Sequence, residues 1–345
     1  MSNYFLKIVA LNRFFEKPDV SVIIASYNHG KYIAGTIRSV LSQKGVNLEL
    51  LIADDGSTDD SVKVIKSFSD PRLKAFFFER NREISMRNHC LKIARGKYIA
   101  ILNSDDEFLP DKLRLQAELL DRSPQVGAVF AKVNFINDAG KKIPANHEVV
   151  NYYSKVNYSD RSRFEWLRDF FHGENSLIHP TVMMHRKING KTSFYNPFLA
   201  LSGDLDLWVK MCLSAEIRVL PRALLNLRIH DNKSNAGAKS EANKYRFNYE
   251  FFKILENFVA PNALKQLTNI FPGLKEQIRT GSSAERRLLL AKIALQLNSP
   301  SHHLFALEQM YQLLGDERER RKMDKIFGEP FLKTFISATA LPSVG

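Results

Sequence analysis

The first 130 residues alternate short apolar runs with segments of helical period, and that alternation leaves few architectures open. The runs "VSVIIA" (20–25), "LELLIA" (48–53), "LKAFFF" (73–78), "KYIAIL" (97–102) and "VGAVFA" (126–131) are short for helices and too apolar for exposed strands. Between them, "YIAGTIRSVLSQ", "DSVKVIKSF", "SMRNHCLKIA" and "PDKLRLQAELL" space apolar residues by three and four, so that Ile33, Ile37, Val40 and Leu41 share one helical face. This order predicts an α/β fold, a mostly parallel sheet with helices on both faces. Ligands of such sheets sit beyond the carboxyl ends of the strands.

Acids collect at those ends. Asp54 and Asp55 follow the second run, Asn103, Ser104, Asp105 and Asp106 follow the fourth, and Ser26, Tyr27 and Asn28 follow the first. Adjacent carboxylates repel unless they cap a helix, face water or hold a ligand. Asp59 is better placed than Asp54 or Asp55 to cap the next helix. The remaining acids, brought to one crevice, call for a cation or hydrogen-bond donors.

Beyond residue 140 the periodicity blurs, with one helix expected in "RFEWLRDFF" and one strand in "TVMMHR". A helix is expected to begin near Asp204 in "GDLDLWVKMCL", and a strand to end at His230 in "ALLNLRIH". From about residue 240 the chain becomes a series of amphipathic helical segments, broken at Pro261, Pro272-Gly273, Gly281-Ser282 and Ser299-Pro300. The expected division is an N-terminal extension (1–17), a main α/β domain (18–238) and a C-terminal helical region (239–345).

The net charge of +13 is compatible with nucleic acid, an anionic membrane surface or an acidic substrate. No helix-turn-helix or zinc-finger pattern accompanies the basic residues, so no nucleic-acid partner is expected. Cys90 and Cys212 have no metal-site spacing and are expected to be buried, in a reducing compartment. There is no secretory leader pattern and no run of about 18 apolar residues. A cytoplasmic protein is therefore expected. The basic amphipathic tail, helped by "YFLKIVALNRFF" near the N-terminus, has two readings: peripheral contact with an anionic membrane surface, or internal packing.

Five motifs, in order, are "VSVIIASYNHGKYIAGTIRSVLSQ", "LLIADDGSTDDS", "GKYIAILNSDDEFLPDKL", "SGDLDLWVKM" and "LRIHDNKS". Together they resemble the family 2 inverting glycosyltransferases of GT-A fold, over residues 18–235. The resemblance implies that Ala25, Ser26 and Tyr27 line a nucleotide pocket in which Asp55 accepts a hydrogen bond from the base. A carboxylate, which only accepts, suits the N–H of a uracil. It implies that "NSDD" takes the place of the DxD-type motif: Asn103 and Asp105 at the donor nucleotide, Asp105 and Asp106 at a Mn2+ or Mg2+ ion, with His230 as a further metal ligand. Asn103 departs from the usual aspartate, which removes one negative charge. Arg87 and Asn88 match an Arg-Asn element near the diphosphate, and Arg228 would add a diphosphate contact. Asp204 takes the place of the catalytic base, with Gly203 where a glutamate often stands. His179 receives no role.

The implied activity is inverting transfer of a sugar from a nucleotide sugar, with UDP as the expected carrier, in polysaccharide or lipopolysaccharide biosynthesis. The acceptor would be a carbohydrate or a lipid-linked carbohydrate. The departures at Asn103 and Gly203 keep one alternative open, a catalytically degenerate GT-A scaffold that binds a nucleotide or a partner. A nucleotidyltransferase would need a glycine- and lysine-rich loop after the first strand, which "SYNHGK" does not supply.

Overall fold

The computed structural model describes residues 17–79, 84–144, 146–148, 150, 160–188, 190–192, 194–230, 241–278, 281–313 and 317–327. The N-terminal stretch singled out for membrane contact lies outside them. The first four apolar runs form β1 (Val20–Ser26), β2 (Leu48–Asp54), β3 (Leu73–Phe77) and β4 (Tyr98–Asn103), parallel in the order β3-β2-β1-β4. The register pairs Ser26 with Asp54, and Ala25 with both Ala53 and Asn103. The polar residues that end these strands therefore lie in one row.

The sheet continues with β5 (Glu107–Phe108), β6 (Val126–Ile136) and β7 (Met183–His185), while β8 (Lys187–Ile188) and β9 (Lys191–Thr192) form a separate hairpin. With β10 (Glu216–Arg228) the full order is β3-β2-β1-β4-β7-β6-β10-β5. β7 runs antiparallel between β4 and β6, and β5 antiparallel at the edge. β6 and β10 extend past their apolar runs because they pair in parallel with each other, so polar residues such as Asn134 and Asn226 still find ladder partners. The ladder shifts register between Leu220 and Ala223, around Pro221, which has no N–H to give.

Helices α1 (Ile33–Leu41), α2 (Ser61–Lys66), α3 (Ile84–Ile93) and α4 (Lys112–Arg122) fill the gaps between strands. Val22, Ile24, Leu50, Ile52, Ala100 and Leu102 form one core with Ile33 and Ile37 of α1 and with Leu113 and Ala117 of α4. α3 lies against β1 and β2, burying Met86, Cys90 and Leu91. Cys90 and Cys212 are both free and buried, and burial pushes the Cys90 thiol up to about 12.

The chain divides into two compact units, the first comprising residues 1–162, 176–207 and 214–235, which hold the sheet. The second comprises 163–175, 208–213 and 236–345, so it takes in two stretches from inside the expected α/β domain. It contains α5 (Arg163–Phe171), α7 (Glu241–Leu255), α8 (Pro261–Lys265), α9 (Leu267–Ile270), α10 (Lys275–Ile278), α11 (Ser283–Leu295), α12 (Pro300–Tyr311) and α13 (Glu317–Phe327). Between α5 and α7 in the chain runs α6 (Gly203–Cys212). Within the second unit Phe171 meets Phe258, Phe271, His302 and Phe305 edge-on, an aromatic centre that explains why amphipathic segments pack here. Ser282 and Glu285 form a capping box at the start of α11. No helix among the described residues is long and apolar enough to cross a membrane.

One buried acid fastens the first unit's sheet from below. Glu49 of β2 accepts from Ser21 Oγ of β1 at 2.6 Å and from Arg95 N and Nε at 2.7 and 3.1 Å. Burial alone would raise its pKa, but these donors outweigh burial and lower it. Stabilisation from a depressed carboxyl is complete above the unfolded value of about 4.3 and is lost as pH falls through the folded one. Glu49→Gln should cost about 1.5–3 kcal/mol in urea unfolding at neutral pH, with the deficit shrinking in acid. An equal deficit in acid and at neutrality would contradict this account.

Candidate active site

The row of strand ends is closed by two interlocked loops. The Asp54 carboxylate turns the loop after β2 by accepting from Ser57 N at 2.9 Å and Ser57 Oγ at 2.8 Å. Asn28, with φ of 52°, donates its N–H to Ser57 Oγ and accepts Thr58 N at its side-chain oxygen, both at 2.8–2.9 Å. Gly30 donates to Asp59 Oδ2, and a Cβ there would stand 2.9 Å from Ser61 N, so the approach of the two loops requires glycine. Asp59 also accepts Ser61 N at the start of α2. Asp55 is buried, with its N–H on Ser26 O. The Ser26 hydroxyl is buried without a protein partner among the described residues, the kind of orphan that a ligand satisfies. Ala25 lies beside it on β1, and Tyr27 is exposed next to both.

A second group forms where β1, β4 and β10 end. His29, Asp105 and His230 each offer a ligand atom, all within 4.8 Å of one another. His230 Nε2 lies 2.8 Å from Asp105 Oδ2, and His29 Nδ1 lies 2.7 Å from Ser104 Oγ. Burial disfavours the His230 cation, but hydrogen bonds to Asp105 and Asp138 outweigh it and raise the imidazole's pKa. His29 is a residue that sequence reasoning passed over. Its signal was available, a histidine three residues past the end of β1 in "SYNHGK".

Two expected ligand-facing residues serve the protein instead. Asp106, expected at the metal, is 1% exposed, with Oδ1 on Arg228 N at 2.8 Å and Oδ2 on Asn103 Nδ2 at 2.9 Å. Burial, then the Asp105 charge, raises its pKa well above the usual aspartate value. Asn103 thus gives Asp106 a donor where a second carboxylate would repel it. Arg228, expected at the diphosphate, donates Nε to Asp105 O at 2.8 Å, Nη1 to Asn137 O at 2.7 Å and Nη2 to Glu107 Oε1 at 3.3 Å. Its guanidinium is directed into the walls of the site.

A third group surrounds Asp204 in the first turn of α6. The Arg87 charge acts on His179, Tyr195 and Asp204 alike. Tyr195 is clamped by Asn88, which donates Nδ2 to Tyr195 O at 2.8 Å and accepts Tyr195 N at 2.9 Å, while the Tyr195 hydroxyl meets His179 Nε2 at 2.7 Å. Burial, with the Arg87 charge, pulls the His179 imidazole down to about 3, so it is neutral at physiological pH. Burial also raises the Asp204 carboxyl, against the pull of Leu205 N and of Arg87. A carboxylate biased toward holding a proton has the character of a general base.

A profile described as Glycosyl transferase family 2 matches residues 21–191. The putative teichuronic acid biosynthesis glycosyltransferase TuaG of Bacillus subtilis is 40% identical over 241 residues, covering 65% of this chain and 86% of that protein. The chain belongs to glycosyl transferase family 2. An uncharacterized glycosyltransferase of Methanocaldococcus jannaschii is 29% identical over 227 residues, covering 64% of this chain and 73% of that protein. Among solved structures, residues 1–349 of S. aureus TarS superpose with a TM-score of 0.54 at 18% identity, covering 90% of this chain and 89% of that one. The glycosyltransferase therefore has the GT-A fold followed by C-terminal helices.

In this family 2 enzyme Asn88 holds the main chain that leads to Asp204. Asn88→Ala should lower the rate of sugar transfer while leaving nucleotide affinity, measured by calorimetry, within about two-fold of wild type, since two hydrogen bonds worth about 1 kcal/mol each are lost away from the β1 and β2 loops. Unchanged transfer, or a matching loss of nucleotide binding, would contradict that placement.

Proposed function

We propose that the enzyme transfers a sugar, with inversion, from a UDP-sugar to a hydroxyl of a carbohydrate or lipid-linked carbohydrate. The convergence of His29, Asp105 and His230, from the segments that follow β1, β4 and β10, is the observation that carries this reading. Two imidazole nitrogens and one carboxylate fit a divalent cation, and the nitrogens favour Mn2+ over Mg2+, which prefers oxygen. Such a cation, when bound, neutralises the charge of a departing diphosphate. The TarS fragment crystallised with UDP-GlcNAc, which matches this chain with a TM-score of 0.51, supports a UDP-linked donor.

The chain's own groups divide the work. Asp55 accepts the imide N–H of the base, and Ser26 satisfies its orphaned hydroxyl on the nucleotide. Asp204 takes the proton of the acceptor hydroxyl as that oxygen attacks the anomeric carbon opposite the leaving UDP. The bond from carbon to diphosphate oxygen breaks in the same displacement, which inverts the centre. Arg87 keeps Asp204 ionisable despite its burial. The names of TuaG and of the succinoglycan biosynthesis protein ExoO of Rhizobium meliloti, 37% identical over 118 residues, support an acceptor in polysaccharide assembly. ExoO is matched over 34% of this chain and 33% of its own length.

Asp204→Asn should reduce transfer by about 10²–10⁴-fold with UDP binding intact. Because burial raises the Asp204 carboxyl and the base must be ionised, the acid limb of kcat/KM should lie above the usual aspartate value and disappear in the variant. Transfer should be faster with Mn2+ than with Mg2+. Full turnover by Asp204→Asn would remove the assignment, and UDP binding without transfer to any acceptor would favour the degenerate scaffold.

A further inference from the structure

We infer that Asp138, anchored by the Tyr32 hydroxyl, is a positioning residue that fixes the ring of His230 for a divalent cation. The inference rests on the reading that His29, Asp105 and His230 hold such a cation. Asp138 lies two residues beyond β6, in a turn whose backbone is itself fixed. Asn137 Oδ1 accepts Ala139 N and Lys141 N at 3.0 and 2.9 Å, Gly140 adopts φ of 77°, and Arg228 Nη1 donates to Asn137 O. From that turn, one carboxylate oxygen of Asp138 takes both the Tyr32 hydroxyl at 2.6 Å and His230 Nδ1 at 2.7 Å.

The two ring nitrogens then have different duties. An ionised carboxylate only accepts, so Nδ1 must carry the hydrogen that meets Asp138. Nε2 faces the Asp105 carboxylate at 2.8 Å and carries a hydrogen there too; a cation that takes Nε2 displaces that hydrogen, while Asp138 keeps the other on Nδ1. Orientation of a metal-binding histidine by a carboxylate on its other nitrogen typically affects metal affinity about 10–100-fold. Tyr32 completes the mount: its ring packs on His230 with centroids 5.2 Å apart, and the Arg228 guanidinium sits 4.7 Å from the Tyr32 centroid. The His29 ring is held in the same manner, by Ser104 Oγ at Nδ1. Nothing in the sequence motif around "NSDD" points to Asp138, which comes from a different strand.

The test titrates Mn2+ into the full chain in the presence of UDP, following free Mn2+ by electron paramagnetic resonance, for wild type, Asp138→Asn, Tyr32→Phe and His230→Ala. Asp138→Asn is expected to weaken Mn2+ binding by about 10–100-fold, and Tyr32→Phe by a smaller factor, with the unfolding midpoint of each near wild type. Long-range 1H–15N spectra with Mg2+ and UDP should show His230 protonated at Nδ1 in wild type and a mixture of tautomers in Asp138→Asn. Wild-type Mn2+ affinity in Asp138→Asn, with binding lost in His230→Ala, would overturn the inference and leave the metal site standing. Absence of Mn2+ binding by wild type would overturn both. Should Asp138→Asn fail to fold, Tyr32→Phe decides, since it keeps the ring packing; unchanged affinity and an unchanged tautomer there would overturn the inference.

Discussion

Arg228 stands at the end of β10 with its main-chain N–H on Asp106 and its guanidinium on the backbones of Asp105 and Asn137. Those two backbones belong to the turns that follow β4 and β6, so one buried cation ties three strand ends together. A lysine could not do this, because its single ammonium lacks the planar fork that reaches three acceptors in different directions. Asp105, Asp138 and His230 all hang from the segments that Arg228 joins. The distances of 2.8 and 2.7 Å from His230 to Asp105 and to Asp138 are therefore a property of the sheet and not of three independent loops.

The same economy of position explains the neighbouring acids. Asp54 and Asp59 build the loops, Asp106 anchors β10, and Asp105 is the acid left among the cluster of possible ligands. Acids that look alike in the chain are separated in role by their donors: a carboxylate with both oxygens on protein N–H groups is structural, whereas one facing two imidazoles invites a cation. The group around Asp204 follows a different logic, with Asn88 holding the backbone of Tyr195 and Arg87 setting the field.

The parallel half of the sheet was legible because β1, β2 and β4 are buried on both faces, which forces continuous apolar runs. The three-residue β7 was legible only as a strand, since its antiparallel direction depends on partners far away in the chain. β6 and β10 outran their apolar cores because they pair with each other. In the site, the end-of-strand rule singled out Asp105 and the family resemblance His230, but neither could say which oxygen would meet which donor. That is why Asp106 and Arg228 were expected at the ligand, and why Tyr32, Asp138 and Tyr195, which join the site from other segments, were not assigned; His29, close behind β1, had a signal that was passed over.

On this reading His29, Asp105 and His230 hold one divalent cation beside the nucleotide. A crystal grown with Mn2+ and UDP, measured at the manganese absorption edge, tests it most directly. The account predicts one anomalous peak within bonding distance of both imidazoles and the Asp105 carboxylate, with the UDP diphosphate alongside and Asp106 still bound to the Arg228 N–H. A peak ligated by Asp106 without the histidines, or well-occupied UDP with no peak at these three residues, would contradict it.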